Sequence, residues 1–192
     1  MAYPLQLYDF SRSEDKKFLI KLDLNMTRLF GKIDPSDKIK CFSKFNSDNI
    51  PRFLIDAGEK ALSKIMENNP IAEHIPEINK KWKATIGMYG RKNGSVIKKE
   101  KDILYRLVIN IGDPEVYYLN GQTDDQYYDI EPIVLFNGYA ILLSPSGAEN
   151  LDIKVFNDPI RNDKRILNQL PRIRNRKYMR CTIVLDLLVP QE

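Results

Sequence analysis

The chain has 192 residues, a hydrophobic fraction of 43% and a net charge of +4, enough to bury one core and ordinary for a globular protein. No apolar run approaches the roughly 18–20 residues that carry a helix across a bilayer, so no membrane span is expected, and Met1-Ala2-Tyr3-Pro4-Leu5 lacks the basic and apolar regions of a secretory leader. The net charge is too small to imply nucleic acid by itself, and Cys41 and Cys181, far apart and without a C-x-x-C pair, read as free thiols of a reducing compartment. An intracellular place of action follows. Asn, Ile and Lys are abundant, a composition common where coding DNA is AT-rich, as in many large DNA viruses and some bacteria.

In chain order, Ile20, Leu22 and Leu24 alternate with Lys21 and Asp23, which predicts a strand over 17–24, with a helix from Glu14 to Phe30 as the alternative. Residues 50–67 read as a helix. Asn49 or Asp48 can cap it, Pro51 suits the first turn, and Leu54, Gly58, Ala61, Leu62, Ile65 and Met66 fall on one face. Asn68-Asn69-Pro70 stops it. His74, the single histidine of the chain, follows in Ile71-Ala72-Glu73-His74-Ile75-Pro76 and reads as a surface or packing residue.

From Trp82 the period changes to two, with Trp82, Ala84, Ile86 and Met88 alternating with Lys83, Thr85 and Gly87. Gly90 and Asn93-Gly94 mark a turn. Strands are predicted over Ile103–Ile111, with Ile103, Tyr105, Leu107, Ile109 and Ile111 on one face, then over Glu115–Leu119, Pro132–Phe136, Tyr139–Leu143, Leu151–Phe156 and Tyr178–Val189. Gly112-Asp113-Pro114, Asn120-Gly121, Asn137-Gly138 and Pro145-Ser146-Gly147 punctuate them as turns. Many short strands at this spacing argue for a sandwich or barrel. The chain reads as a single domain over 1–192, with a helical and strand support over 1–81 and a β-core over 82–192. The stretch 157–177 reads as a long basic arm.

Charge is clustered. Lys80, Lys81, Lys83, Arg91, Lys92, Lys98, Lys99 and Lys101 form one basic stretch, and Arg161, Lys164, Arg165, Arg172, Arg174, Arg176, Lys177 and Arg180 form another. Asp113, Glu115, Asp124, Asp125, Asp129 and Glu131 form an acidic segment between them. Complementary faces of this kind suit contacts with protein partners or with copies of the same chain. On this reading Arg161, Lys164, Arg165, Arg172, Arg174, Arg176 and Lys177 are the candidate partner-binding residues. Nucleic acid is the other candidate partner, with Tyr89, Tyr105, Tyr117, Tyr118, Tyr127 and Tyr128 as stacking platforms beside the basic clusters.

Catalytic constellations are weak. No G-x-S-x-G elbow and no P-loop occurs. Cys181 lies in an apolar strand and reads as core, and Asp124, Asp125 and Asp129 read as a solvated loop tip. No catalytic residue is assigned.

Gly94-Ser95-Val96-Ile97, Glu100-Lys101-Asp102, the strand Leu104–Ile111 with Gly112-Asp113-Pro114-Glu115-Val116-Tyr117, and Val134–Leu143 together resemble the core of the Fe(II)/2-oxoglutarate dioxygenases, closest to the AlkB-like branch. Lys177-Tyr178-Met179-Arg180-Cys181-Thr182-Ile183 is similar to the family's last core strand. The resemblance spans 82–189 and implies an α+β, mainly β fold: a double-stranded β-helix, or jelly-roll-like barrel, with N-terminal helices packed on one sheet. It also implies Fe(II) and 2-oxoglutarate as cofactors, with a facial triad of two histidines and a carboxylate. In this chain Glu100-Lys101-Asp102 takes the place of the H-x-D motif, and Asp152 stands near the place of the distal histidine. Glu100, Asp102 and Asp152 are therefore the metal candidates, and Arg176, Arg180 or Lys177 is the counterpart of the arginine that pairs with 2-oxoglutarate. With no second histidine, the expectation is a non-enzymatic binding or structural protein without cofactor. It would be a component of a larger assembly, a viral structural protein and part of the virion if the source is viral. The alternatives are a nucleic-acid-binding protein and an AlkB-like dioxygenase with atypical ligands.

Overall fold

The computed structural model describes residues 5–12, 17–21, 24–25, 40–68, 80–90, 94–112, 115–122, 127–155 and 179–189. His74 and the 157–177 arm, with all seven candidate partner-binding residues, lie outside them. In chain order the elements are β1 (Leu5–Asp9), β2 (Lys40–Phe45), α1 (Arg52–Asn68), β3 (Trp82–Gly90), β4 (Ser95–Ile97), β5 (Ile103–Gly112), β6 (Glu115–Gln122), β7 (Tyr127–Leu135), β8 (Tyr139–Leu143), α2 (Pro145–Asn150), β9 (Leu151–Val155) and β10 (Met179–Leu188).

Two antiparallel sheets share these strands: β1-β8-β5-β10-β3-β2 and β4-β9-β6-β7. The chain from β3 to β10 winds between the two sheets, so β3, β5, β8 and β10 build the larger and β4, β6, β7 and β9 the smaller. This is a double-stranded β-helix, and the fold is α+β and mainly β. β1 and β2 extend the larger sheet at its two edges, β1 against β8 and β2 against β3.

Because side chains alternate along a strand, the larger sheet has two different faces. Trp82, Ala84 and Ile86 of β3, Leu107 and Ile109 of β5, and Cys181, Ile183, Leu185 and Leu187 of β10 form a core on its outer face. Leu54, Ala57, Ala61 and Leu62 of α1 cover that core, with Phe10 beside them. Full burial of each large aliphatic side chain here contributes about 1.5–3 kcal/mol. On the inner face, Val108, Ile141 and Leu143 meet Tyr117, Leu119, Leu135, Ile153 and Val155 of the smaller sheet. The helix stripe is as the sequence predicts at Leu54, Gly58, Ala61 and Leu62, with Ala57 added to the buried face, and Cys181 is buried in that core. The strands keep the predicted period of two except at Ile103, which a register shift opposite Leu187 and Leu188 turns to the inner core, away from Leu107 and Ile109.

Four local expectations are corrected. Residues 17–21 are helical, in keeping with the alternative reading rather than the strand: Phe18 and Leu19 both pack on the outer core, a contact that adjacent strand positions, pointing to opposite faces, do not make with one surface. Asn49 does not cap α1. Its carboxamide oxygen accepts from the Asn46 N–H at 2.8 Å, and the Asn46 side-chain oxygen accepts from Asp48 and Asn49 N–H groups, closing a tight turn ahead of the helix. Pro145-Ser146-Gly147 is the start of α2 rather than a turn between strands. Ser144 caps it, accepting from the Gly147 N–H at 3.2 Å, and Pro145 begins the first turn. Asn120-Gly121 lies within β6, where the register against β7 shifts between Leu119 and Gly121. Gly121 has φ +150°, and a Cβ there would stand 2.0 Å from the Asn150 carbonyl oxygen, so the position takes a bulge and a residue without a side chain.

Candidate functional site

The inner face of the larger sheet carries polar rows set by strand register. Asp186 of β10 is paired with Lys83 of β3 on one side and Arg106 of β5 on the other, so three charges stand in line across three strands. Two rows further along, Thr182 lies between Gly87 and Asn110.

Arg106 and Asp186 are each 3% exposed. The guanidinium binds the carboxylate through two bonds, Nε to Oδ1 at 2.8 Å and Nη2 to Oδ2 at 3.1 Å. Its Nη1 donates to the Lys98 carbonyl at 2.7 Å, and Nη2 also donates to Glu100 Oε2 at 3.1 Å. Lys83 Nζ donates to the other Glu100 oxygen. Two cations and two carboxylates thus form one neutral network linking the segment after β4 to the larger sheet. Burial pushes the Glu100 carboxyl up, but the hydrogen bond and charge of Lys83 and the charge of Arg106 outweigh it and hold the carboxyl below its ordinary value.

The Thr182 row is a second, uncharged network. Tyr117 Oη donates to Asn110 Oδ1 at 2.8 Å and lies 3.0 Å from Thr182 Oγ1, while Asn110 Nδ2 donates to the Leu135 carbonyl at 3.0 Å. All three side chains are buried, and their polar atoms satisfy one another inside the barrel.

Both networks border a cavity of about 550 Å³ between β2, β3 and β10 on one wall and β4 on the other. Phe42, Lys44, Tyr89, Val96, Lys98 and Thr182 are among its lining residues.

The three metal candidates do not act together. Glu100 is held by Lys83 and Arg106. Asp152 Oδ1 accepts from the Lys99 N–H at 2.8 Å, and the Asp102 carbonyl accepts from the Val189 N–H where the chain turns with φ 64°. Among the described residues no three His, Cys, Asp or Glu side chains stand close enough to hold a metal ion. A facial triad for Fe(II) takes two imidazoles and a carboxylate; the chain has one histidine, and its carboxylate at the H-x-D place is neutralised by two cations. The described residues do not fit that ion. Of the expected 2-oxoglutarate arginines, Arg180 is on β10 in register with Tyr89 and Gly112, and Arg176 and Lys177 lie outside the described residues.

Sequence reasoning missed Arg106, Asp186, Asn110 and Thr182. The signal was present: Asp186 is the lone charge in Cys181–Val189, and Arg106 the lone charge in Ile103–Ile111. Charged residues are almost never buried unless paired, so two opposite charges in two apolar strands point to a pair.

No family model matches the sequence, and no curated protein matches it. Solved structures do. The prolyl-4-hydroxylase (P4H) of Pseudomonas putida is 8% identical with a TM-score of 0.52, over 99% of this chain and 95% of that one. OsALKBH1 is 11% identical with a TM-score of 0.56, over 97% of both chains. A protein of Shewanella oneidensis assigned as an oxygenase is 13% identical with a TM-score of 0.54, over 98% of this chain and 82% of that one. The chain therefore has the fold of 2-oxoglutarate/Fe(II) oxygenases, as the motifs of residues 82–189 led one to expect.

Proposed function

We propose that this chain is a binding or structural protein built on an oxygenase-type barrel, acting through what it holds rather than through iron-dependent oxidation. The observation that carries the reading is the state of Glu100. It occupies the H-x-D place in sequence, and its two oxygens are bound by Lys83 and Arg106. A cation seated there would have to displace two ammonium or guanidinium partners and tolerate their charge beside it. Folds of this kind host unrelated functions, and the opposite charge clusters of the sequence suit protein partners or copies of the same chain, inside the cell or in a virion.

The fold itself favours one second reading, an Fe(II)/2-oxoglutarate oxygenase with Glu100, Asp102 and Asp152 as unusual ligands, since the similar structures include a prolyl-4-hydroxylase. Calorimetric titration with Mn²⁺, with and without 2-oxoglutarate, separates the two. The binding-protein reading predicts no heat of specific binding from either. Tight binding of each that depends on the other would establish the second reading instead.

A further inference from the structure

We infer that the cavity between β2 and β4 is a binding site for a small organic anion with a flat apolar body, an aromatic carboxylate being the simplest example. The inference rests on the reading of the protein as a binder and names the ligand class.

Size comes first. About 550 Å³ lies within the roughly 300–1,000 Å³ of small-molecule sites. Charge comes next. Four cations, Lys44, Lys83, Lys98 and Arg106, border the cavity against two carboxylates, Glu100 and Asp186. Both carboxylates are consumed by Arg106 and Lys83. Lys44 and Lys98 are exposed at the rim and pair with no described carboxylate. The space therefore has a net positive field with two ammonium groups able to turn toward a ligand.

The walls define the rest of the ligand. Phe42 and Val96, on opposing sheets, are each 50% exposed although large and apolar, and both border the cavity. Phe42 stands edge-to-face with Tyr89, ring centres 5.6 Å apart. The Tyr89 ring lies directly over Gly87, where a Cβ would come within 2.4 Å of its hydroxyl, so the glycine lets the ring fold into the cavity. An apolar slab between Phe42 and Val96, with its anionic group toward Lys44 and Lys98, fits this arrangement. Lys44 and Phe42 belong to β2, the edge strand of the larger sheet, so one strand supplies both a cation and an apolar wall.

The test is fluorescence titration of the whole chain with 1-naphthoate, beside its neutral counterpart 1-naphthalenemethanol. The site predicts saturable binding of one naphthoate per chain, at least about tenfold weaker binding of the alcohol, and weakening as salt rises. The double variant Lys44→Gln/Lys98→Gln, at exposed positions where folding is not at risk, should weaken naphthoate about tenfold and leave the alcohol unchanged. Absence of saturable binding, equal affinity for acid and alcohol, or indifference to the double variant would each overturn the proposal. None of these results bears on the metal titration above, so the two readings fail separately.

Discussion

Arg106 is the residue on which the site turns. Its guanidinium is nearly inaccessible and satisfied on every side by Asp186, Glu100 and the Lys98 carbonyl. The desolvation cost of burying such a pair consumes much of its Coulomb gain, so the intact pair adds little net stability, whereas removing one partner strands the other. Asp186→Asn and Arg106→Met are each expected to lower the free energy of unfolding in urea by about 3–5 kcal/mol. The double variant Arg106→Met/Asp186→Leu should lose less than either single one; if it loses the sum of both, the coupling argued here is wrong. Glu100 behaves differently because it is partly exposed. Its carboxyl is held below the ordinary 4.5, so its contribution is full above that pH and is lost as pH falls through the lower folded-state value. Acid unfolding should therefore be less steep in Glu100→Gln than in the parent. Parallel curves would show that the Lys83 and Arg106 contacts do not matter in solution.

At the scale of elements, the three central strands of the larger sheet each serve two environments through the period-two pattern. Trp82, Ile86, Leu107, Ile109, Ile183 and Leu185 face α1, while Lys83, Arg106 and Asp186 face the barrel. The apolar half of this division was legible in the sequence, since alternation is local. The charged half was not, because Lys83, Arg106 and Asp186 meet only through β3-β10-β5 pairing, and β10 is the last strand of the chain. The same limit hid β2, whose Lys40–Phe45 segment acquires strand structure by pairing with β3. Contact between α1 and the sheet is close enough to be tested at one residue. A Cβ on Gly58 would stand 2.6 Å from the Trp82 ring and 2.7 Å from Leu185. Alanine improves helix propensity by about 1 kcal/mol, but overpacking a well-filled core costs about 1–3 kcal/mol, and both Trp82 and Leu185 are buried. Gly58→Ala should lower the thermal midpoint; a rise would mean that helix and sheet are separated by slack.

For the molecule as a whole, the fold was legible where the site was not. Strand order and turn placement over residues 82–189 sufficed to recognise the barrel, because they are topological properties that survive at 8–13% identity to the solved structures it resembles. The site did not follow from the same resemblance. Carried over by motif position, Glu100, Asp102 and Asp152 were a candidate trio, yet Glu100 is bound by Lys83 and Arg106 and Asp152 by the Lys99 N–H, and the Lys83 and Asp186 that complete the network are residues the motif positions did not point to. Among the described residues no helix is long and apolar enough to cross a membrane.

The central claim, that Lys83, Glu100, Arg106 and Asp186 form a closed internal network in place of a metal centre, is most directly tested by thermal unfolding with and without Mn²⁺ and 2-oxoglutarate together. A ligand that binds only the folded state raises its stability by about 2.7 kcal/mol at a hundred times its dissociation constant, which a melting curve reads easily. The account predicts the same midpoint in both conditions. A midpoint raised only when both are present would contradict it.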